Sequence, residues 1–222
     1  MKYDNLNQYS GLFSEYTELR VQQNISTRVA AVNGDILANT HSKQGGVSAR
    51  AFKGGVWGFA SSPDTDHEAI KAAVSRASGN VRFLASKTGG GAQALPCFTG
   101  QGIYGSHNSA KDAEQKELIA FIKDLEHYTA TKYPELQSRT FSLSVNDTER
   151  TIVTSDNADA YTYISRANLV ISLDILAEGK PVALYDVFGG FGQFKDIFHN
   201  DDFFILRCLF SYILIDFGKR EN

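Results

Sequence analysis

The chain has 222 residues, 42% of them apolar and 21% charged, which is enough to bury a core and too ordinary for a disordered or fibrous protein. The net charge of -3 offers no basic field to drive sequence-independent binding of nucleic acid. Aromatic residues at 12%, with 15 Phe and 10 Tyr, lean the chain toward β-rich structure.

In chain order, the first sixteen residues carry no apolar run and do not read as a signal peptide. TELRVQ (17–22) predicts a strand with Leu19 and Val21 on one face. STRVAAV (26–32) predicts another after a break at Asn24. Asn33-Gly34 is a turn signal, because both residues tolerate positive φ. DILANT (35–40) leads into a loop ending at Gly45-Gly46. VSARAF (47–52) and VWGFA (56–60) form a hairpin about Lys53-Gly54-Gly55, so the first block reads as an antiparallel meander. Thr65 to Glu68 fits a capping box for a helix whose apolar face is Ile70, Ala73, Val74 and Ala77. Gly79-Asn80 is expected to end that helix or to separate it from VRFLAS (81–86).

Residues 87–108 contain six glycines and a proline and read as an irregular linker, with the internal boundary placed there. A second helix follows, capped by Ser109 to Asp112, striped by Leu118, Ile122, Leu125 and Thr129, and ended by Pro134. The runs at 140–145, 150–155, 160–165, 168–176 and 181–189 then read as strands. The expected organisation is an N-terminal meander and helix at 1–86, the linker at 87–108, helix plus antiparallel strands at 109–198, and an atypical hydrophobic tail at 199–222. The class is α+β, with two antiparallel-sheet layers, each with packed helices, and no doubly wound parallel sheet.

Few residues stand out chemically. GQGIYG (100–105) matches the dinucleotide pattern G-x-G-x-x-G but is not set between a strand and a helix start, so it reads as a connector. His67-Glu68 has Lys71 where a zinc helix needs its second histidine. His41, His67, His107, His127 and His199 stand singly, and Asp156, Asp159 and Asp174 read as turn and strand-end residues. Cys97 and Cys208 make neither a disulfide framework nor a metal knuckle and read as reduced thiols of a cytoplasmic protein. In that compartment the N-x-[ST] matches at Asn24 and Asn146 have no meaning. Gly189 to Gly192 reads as a strand-to-loop transition. The greasiest run, 203–217, is shorter than the ~20 residues that cross a bilayer and is interrupted by Arg207.

Three motifs in combination carry a resemblance: Thr17-Glu18-Leu19-Arg20-Val21, Gly46-Val47-Ser48-Ala49-Arg50 and Gly55-Val56-Trp57-Gly58-Phe59-Ala60. With Pro181 to Tyr185 and Gly189 to Gly192 added, roughly residues 1–198 resemble the N-terminal and middle domains of the TldD/PmbA family. Its members are historically named modulators of DNA gyrase and understood as zinc metallopeptidases. The resemblance implies a homodimer, or a heterodimer with a paralogue, acting on unfolded peptides. It implies zinc in a later domain, bound by a helix with His-Glu-x-x-x-His, a motif this sequence does not contain. No catalytic, cofactor-binding or metal-ligating residue is therefore assigned, and the expectation is a truncated, inactive metallopeptidase fragment that holds peptides by strand addition. The alternative is a peptide-binding or dimerisation module that regulates a full-length relative.

Overall fold

The computed structural model describes residues 5–88, 91, 95, 97, 99–105, 114–177 and 179–198. A short 3-10 helix at Leu6–Leu12 precedes strands β1 (Tyr16–Val32), β2 (Asp35–Lys53) and β3 (Val56–Ser62). Helix α1 (His67–Thr88), strand β4 (Gln101–Gly105) and helix α2 (Gln115–Lys132) come next. Strands β5 (Ser138–Thr154), β6 (Asp159–Ala177) and β7 (Lys180–Phe191) and the single-turn helix α3 (Phe194–Ile197) complete the described chain. The α+β class with antiparallel strands and packed helices is as expected. The strands of the two expected layers run on into one another, however, as one seven-stranded sheet ordered β3-β2-β1-β5-β6-β4, with β7 also on β6.

The continuity comes from strands longer than their apolar runs. Asn24 does not break β1, because its side chain is tied into the ladder: Oδ1 accepts from Gln22 Nε2 at 3.0 Å and from Thr148 Oγ1 on β5 at 3.1 Å. Residues 39–46 are likewise strand, not loop. Within β2 the buried alternation changes phase: Ile36 and Ala38 turn inward near its start, Val47, Ala49 and Ala51 near its end. Such a slip is the signature of a bulge. Both predicted hairpins form, with Asn33 and Gly34 at φ 49 and 92 and Gly54 and Gly55 at φ 57 and 81.

The expected linker contains a strand. Among its described residues, 101–105 form β4, which pairs parallel with β6 from Gln101 opposite Asp159 to Gly105 opposite Tyr163. Beyond that stretch the same edge of β6 is taken by β7, antiparallel from Arg166 opposite Phe191 to Ala177 opposite Lys180.

Two compact units divide the chain, and neither follows chain order. The first takes residues 1–26, 41–108 and 146–165, and the second 27–40, 109–145 and 166–222. In the first, α1 lays Ile70, Ala73, Val74, Ala77 and Val81 onto Leu19, Val21, Val47 and Ala49, with Leu6 and Tyr9 closing one end. In the second, Leu118, Ile122 and Leu125 of α2 pack on Phe141, Leu143, Ala167, Leu169 and Ile171. Side chains of this kind contribute roughly 1.5–3 kcal/mol each when fully buried.

The helix ends correct the sequence reading in two places. The cap of α1 is Asp66, one residue after Thr65, and its Oδ1 accepts from Ala69 N–H at 2.8 Å. The helix then runs unbroken through Gly79 to Thr88, held by burial of Val81 and by Asn80, whose Nδ2 donates to Phe59 O of β3 at 2.9 Å. For α2 the described cap is Glu114, paired reciprocally with Glu117 in a capping box; the expected cap at 109–112 lies outside the described residues. Tyr133 follows its last turn, as Pro134 predicts.

Candidate functional site

Among the described residues, those singled out for chemistry do not converge. His67 is the first residue of α1, with Nδ1 2.9 Å from Tyr9 Oη; Lys71, one turn on, binds Glu68 instead of a metal. His41 and His127 are exposed on β2 and α2; His107 and His199 lie outside the described residues. Asp159 accepts from Asn7 Nδ2 at the start of β6. Asp156 sits in the preceding turn, and Asp174 well along β6 in the second unit. Cys97 is free and exposed, and Cys208 lies outside the described residues. Among the described residues no group of three or more His, Cys, Asp or Glu is placed to hold a metal ion. No described helix is long and apolar enough to cross a membrane, and the 203–217 run lies outside the described residues.

The glycine motifs are structural. Within GQGIYG, Gln101–Gly105 are β4, a strand paired on β6. A Cβ on Gly105 would stand 1.7 Å from Tyr163 O, so the parallel pairing needs glycine there. Gly189 is closed in the same way by Ala167 O at 2.3 Å, and Gly192, at φ 136, turns the chain from β7 into α3.

What the first unit does build is an open, functionalised sheet face. Residues of β1 alternate, so with Leu19 and Val21 turned to α1, the side chains of Tyr16, Glu18, Arg20 and Gln22 stand on the opposite face. Trp57 anchors one end of it, edge-on to Tyr16 at 6.0 Å and tilted against Phe52 at 5.1 Å. Arg50 lies 4.4 Å above the indole and forks onto Glu18 through Nε at 2.6 Å and Nη2 at 2.9 Å. This combines a bidentate ion pair with a cation–π contact, which fixes a guanidinium better than either alone. Burial, with the Glu18 carboxylate beside it, pushes the Tyr16 phenol up to about 12. The phenol therefore stays a neutral donor, 3.2 Å from Glu18 Oε1.

Beyond Arg50 the face dips into a groove of roughly 420 Å3, walled by Arg20, Gln22, Ser48, Phe59 and Ser61. Its floor is the backbone of Gly45 and Gly46. A Cβ there would lie 2.6 Å from Gln22 O and 2.3 Å from Ser62 O, so no other residue fits. Sequence reasoning read this Gly-Gly as the end of a loop. The second signal it missed was the i, i+2 run Glu18-Arg20-Gln22, whose alternation puts polar groups together on one face.

Another feature is the outer edge of β7, which pairs with no other strand among the described residues. In the register that sets Ala177 opposite Lys180, antiparallel pairs alternate, so Pro181, Ala183, Tyr185, Val187 and Gly189 share one backbone orientation, and Pro181, which has no N–H to give β6, assigns that orientation to the outer edge. Tyr185 and Phe191 are 67% and 75% exposed; Arg166 covers one side of the Phe191 ring at 4.5 Å.

Comparison with known proteins places this fold. Residues 17–81 match the model described as PmbA/TldA metallopeptidase domain 1. No curated protein matches the sequence. Among solved structures, TldE from Thermococcus kodakarensis is similar at a TM-score of 0.65 and 14% identity, over 84% of this chain and 42% of that one. A proposed modulator of a DNA gyrase from Thermotoga maritima gives 0.64 at 13% identity, over 84% and 41%. A similarly described protein from Bacteroides thetaiotaomicron gives 0.62 at 14% identity, over 87% and 44%. These identities establish likeness of fold, and the chain spans less than half the length of each of the three. The matched segment covers β1 to β3 and most of α1, the elements that build the open face and the helix behind it. Residues 17–81 are thus similar to the first domain of the PmbA/TldA metallopeptidases, and the fold as a whole is like that of TldE and the two gyrase-modulator proteins.

Proposed function

We propose that this chain is the N-terminal part of a TldD/PmbA-type metallopeptidase and that it contributes peptide binding and assembly but not the bond-breaking chemistry. The observation that carries this reading is the match of residues 17–81 to the first metallopeptidase domain in a sequence that holds no His-Glu-x-x-x-His. In the family, zinc activates water for attack on the amide. Here that chemistry belongs to a domain outside these residues, and this chain presents surfaces. The test is metal analysis of the 222-residue chain after chelator washing, alongside cleavage assays on an unfolded peptide. Less than a tenth of an equivalent of zinc and no cleavage are expected, about the level of adventitious binding in a protein without a closed site. One zinc per chain, or turnover, overturns the reading.

A second reading is favoured by the β7 edge. Its outward backbone groups and exposed Tyr185, Val187 and Phe191 suit strand addition to another chain. On this reading the protein is a dimerisation module, pairing with itself or with a full-length relative. Co-purification with such a relative, abolished by Val187→Lys, supports it; a monomer indifferent to the relative removes it.

A further inference from the structure

The groove on the open face of the first unit carries one arginine that the fold does not neutralise, Arg20, and a second, Arg150, stands beside it on the same sheet face. Arg50 is matched by Glu18, but Arg20, exposed on the groove wall, has no ion pair among the described residues. Across the β1–β5 ladder, Asn24 bonds Thr148 and Ser26 bonds Asn146. The same register sets Gln22 opposite Arg150, so Arg150 is the diagonal neighbour of Arg20 on the same face, within reach of long side chains. Arg150 Nε is shut off from solvent and has no acceptor among the described residues. A guanidinium does not deprotonate, so a buried N–H of this kind calls for an oxygen acceptor from elsewhere. Two forked donors side by side match a carboxylate, which accepts bidentately. Next to them are a bare-backbone floor at Gly45-Gly46 and the exposed ring of Phe59.

We propose that this groove binds an extended peptide through a carboxylate held between Arg20 and Arg150, with an adjacent apolar side chain of the peptide resting on Phe59. The identity of the ligand as a peptide rests on the metallopeptidase-family reading; the carboxylate requirement rests on the arginines alone. The site thus selects acidic segments, or a free C-terminus, from the pool of unfolded chains.

The full chain is titrated with a short Ala/Val peptide containing two Glu, amidated at its C-terminus, and with the same peptide carrying Gln at both positions. Binding is followed by the fluorescence of Trp57, the only tryptophan, which shares the face through Arg50. The Glu peptide is expected to saturate and to bind about tenfold or more tightly than the Gln peptide, the effect of charge-assisted bonds, and to weaken with added salt. Arg20→Gln and Arg150→Gln should each weaken it by about tenfold, whereas Arg76→Gln, exposed on α1, leaves it unchanged. Arg20 is on the surface, so its variant folds even if the Arg150 variant does not. An un-amidated Gln peptide that binds as well as the Glu peptide assigns the site to a free C-terminus and supports the proposal. Equal binding of both amidated peptides, binding untouched by either substitution, or tighter binding of a single-stranded oligonucleotide overturns it. The family reading is tested separately by zinc and cleavage, so peptide binding without zinc leaves both standing, and loss of the Glu preference removes this proposal alone.

Discussion

At Gly58 the backbone of β3 lies so close to α1 that a Cβ would stand 2.3 Å from Val81 N and 2.4 Å from Ala77 O. Both obstacles are helix backbone and cannot rotate away. Gly58→Ala is therefore expected to cost about 1–3 kcal/mol, the range for an overpacked site, read as a lower urea midpoint. Gly79, on the exposed side of the same helix, has nothing within 4 Å of a Cβ. Gly79→Ala should raise the midpoint by about 0.5–1 kcal/mol through the helix propensity of alanine. Equal effects of the two substitutions would refute this account of how β3 sits on α1. Glu15 gives a pH signature. The Lys53 ammonium at 3.0 Å, with Arg82 at 3.1 Å, holds its carboxyl below the usual value. A depressed pKa stabilises the fold above the unfolded value of ~4.3, and that contribution is lost as pH falls through the lower folded value. Unfolding titrations should show Glu15→Gln less stable than wild type at neutral pH, with the gap closing as pH falls through and below the usual carboxylate range. A pH-independent gap would mean the pairs contribute nothing.

The elements differ in how openly their residues announced them. Turns needing positive φ were legible, since Asn33-Gly34 and Gly54-Gly55 have few alternatives. The apolar stripe of α2 was legible because burial enforces the helical period. Strand length was not: β1 passes through Asn24, where the deciding partner, Thr148, is remote in sequence. Gly79 looked like a helix stop, because the packing of Val81 and the Asn80 bond to β3 are invisible locally. That bond also occupies a carbonyl on the outer edge of β3, which blunts that edge. The β7 edge has no such plug among the described residues. Val187→Lys, placing a charge among its outward positions, should reduce concentration-dependent association in sedimentation runs while leaving the unfolding midpoint within about 0.5 kcal/mol. Unchanged association would show that contacts between chains form elsewhere.

For the molecule as a whole, the α+β class was readable from the order of strands and helices, the likeness to a PmbA/TldA first domain from motifs in the first sixty residues, and the open face was half visible in the alternation of Glu18, Arg20 and Gln22. The joining of all strands in one sheet was not, because it depends on pairing β1 with β5 across the whole of α1, β4 and α2. The Arg20–Arg150 juxtaposition is hidden for the same reason: it exists only once that ladder closes.

The placement of β4 sets an order of events in time. The β5–β6 and β6–β7 hairpins need only short loops, so they can form early, whereas Gln101 must find Asp159 across a long intervening chain. β4 also offers little in return, since all five of its residues are exposed and, among the described residues, it pairs on one side only. It should be the last strand to join the sheet and the first to leave it. Amide exchange at 101–105 is then expected to proceed by local opening, far faster than at Leu143 or Ile171, whose exchange requires global unfolding. Comparable protection at both places would show that β4 is instead an early, integral part of the fold. If it does open first, detachment of five residues bares the β6 backbone from Asp159 to Tyr163, and the chain gains, for a moment, a parallel docking slot that its resting form keeps filled.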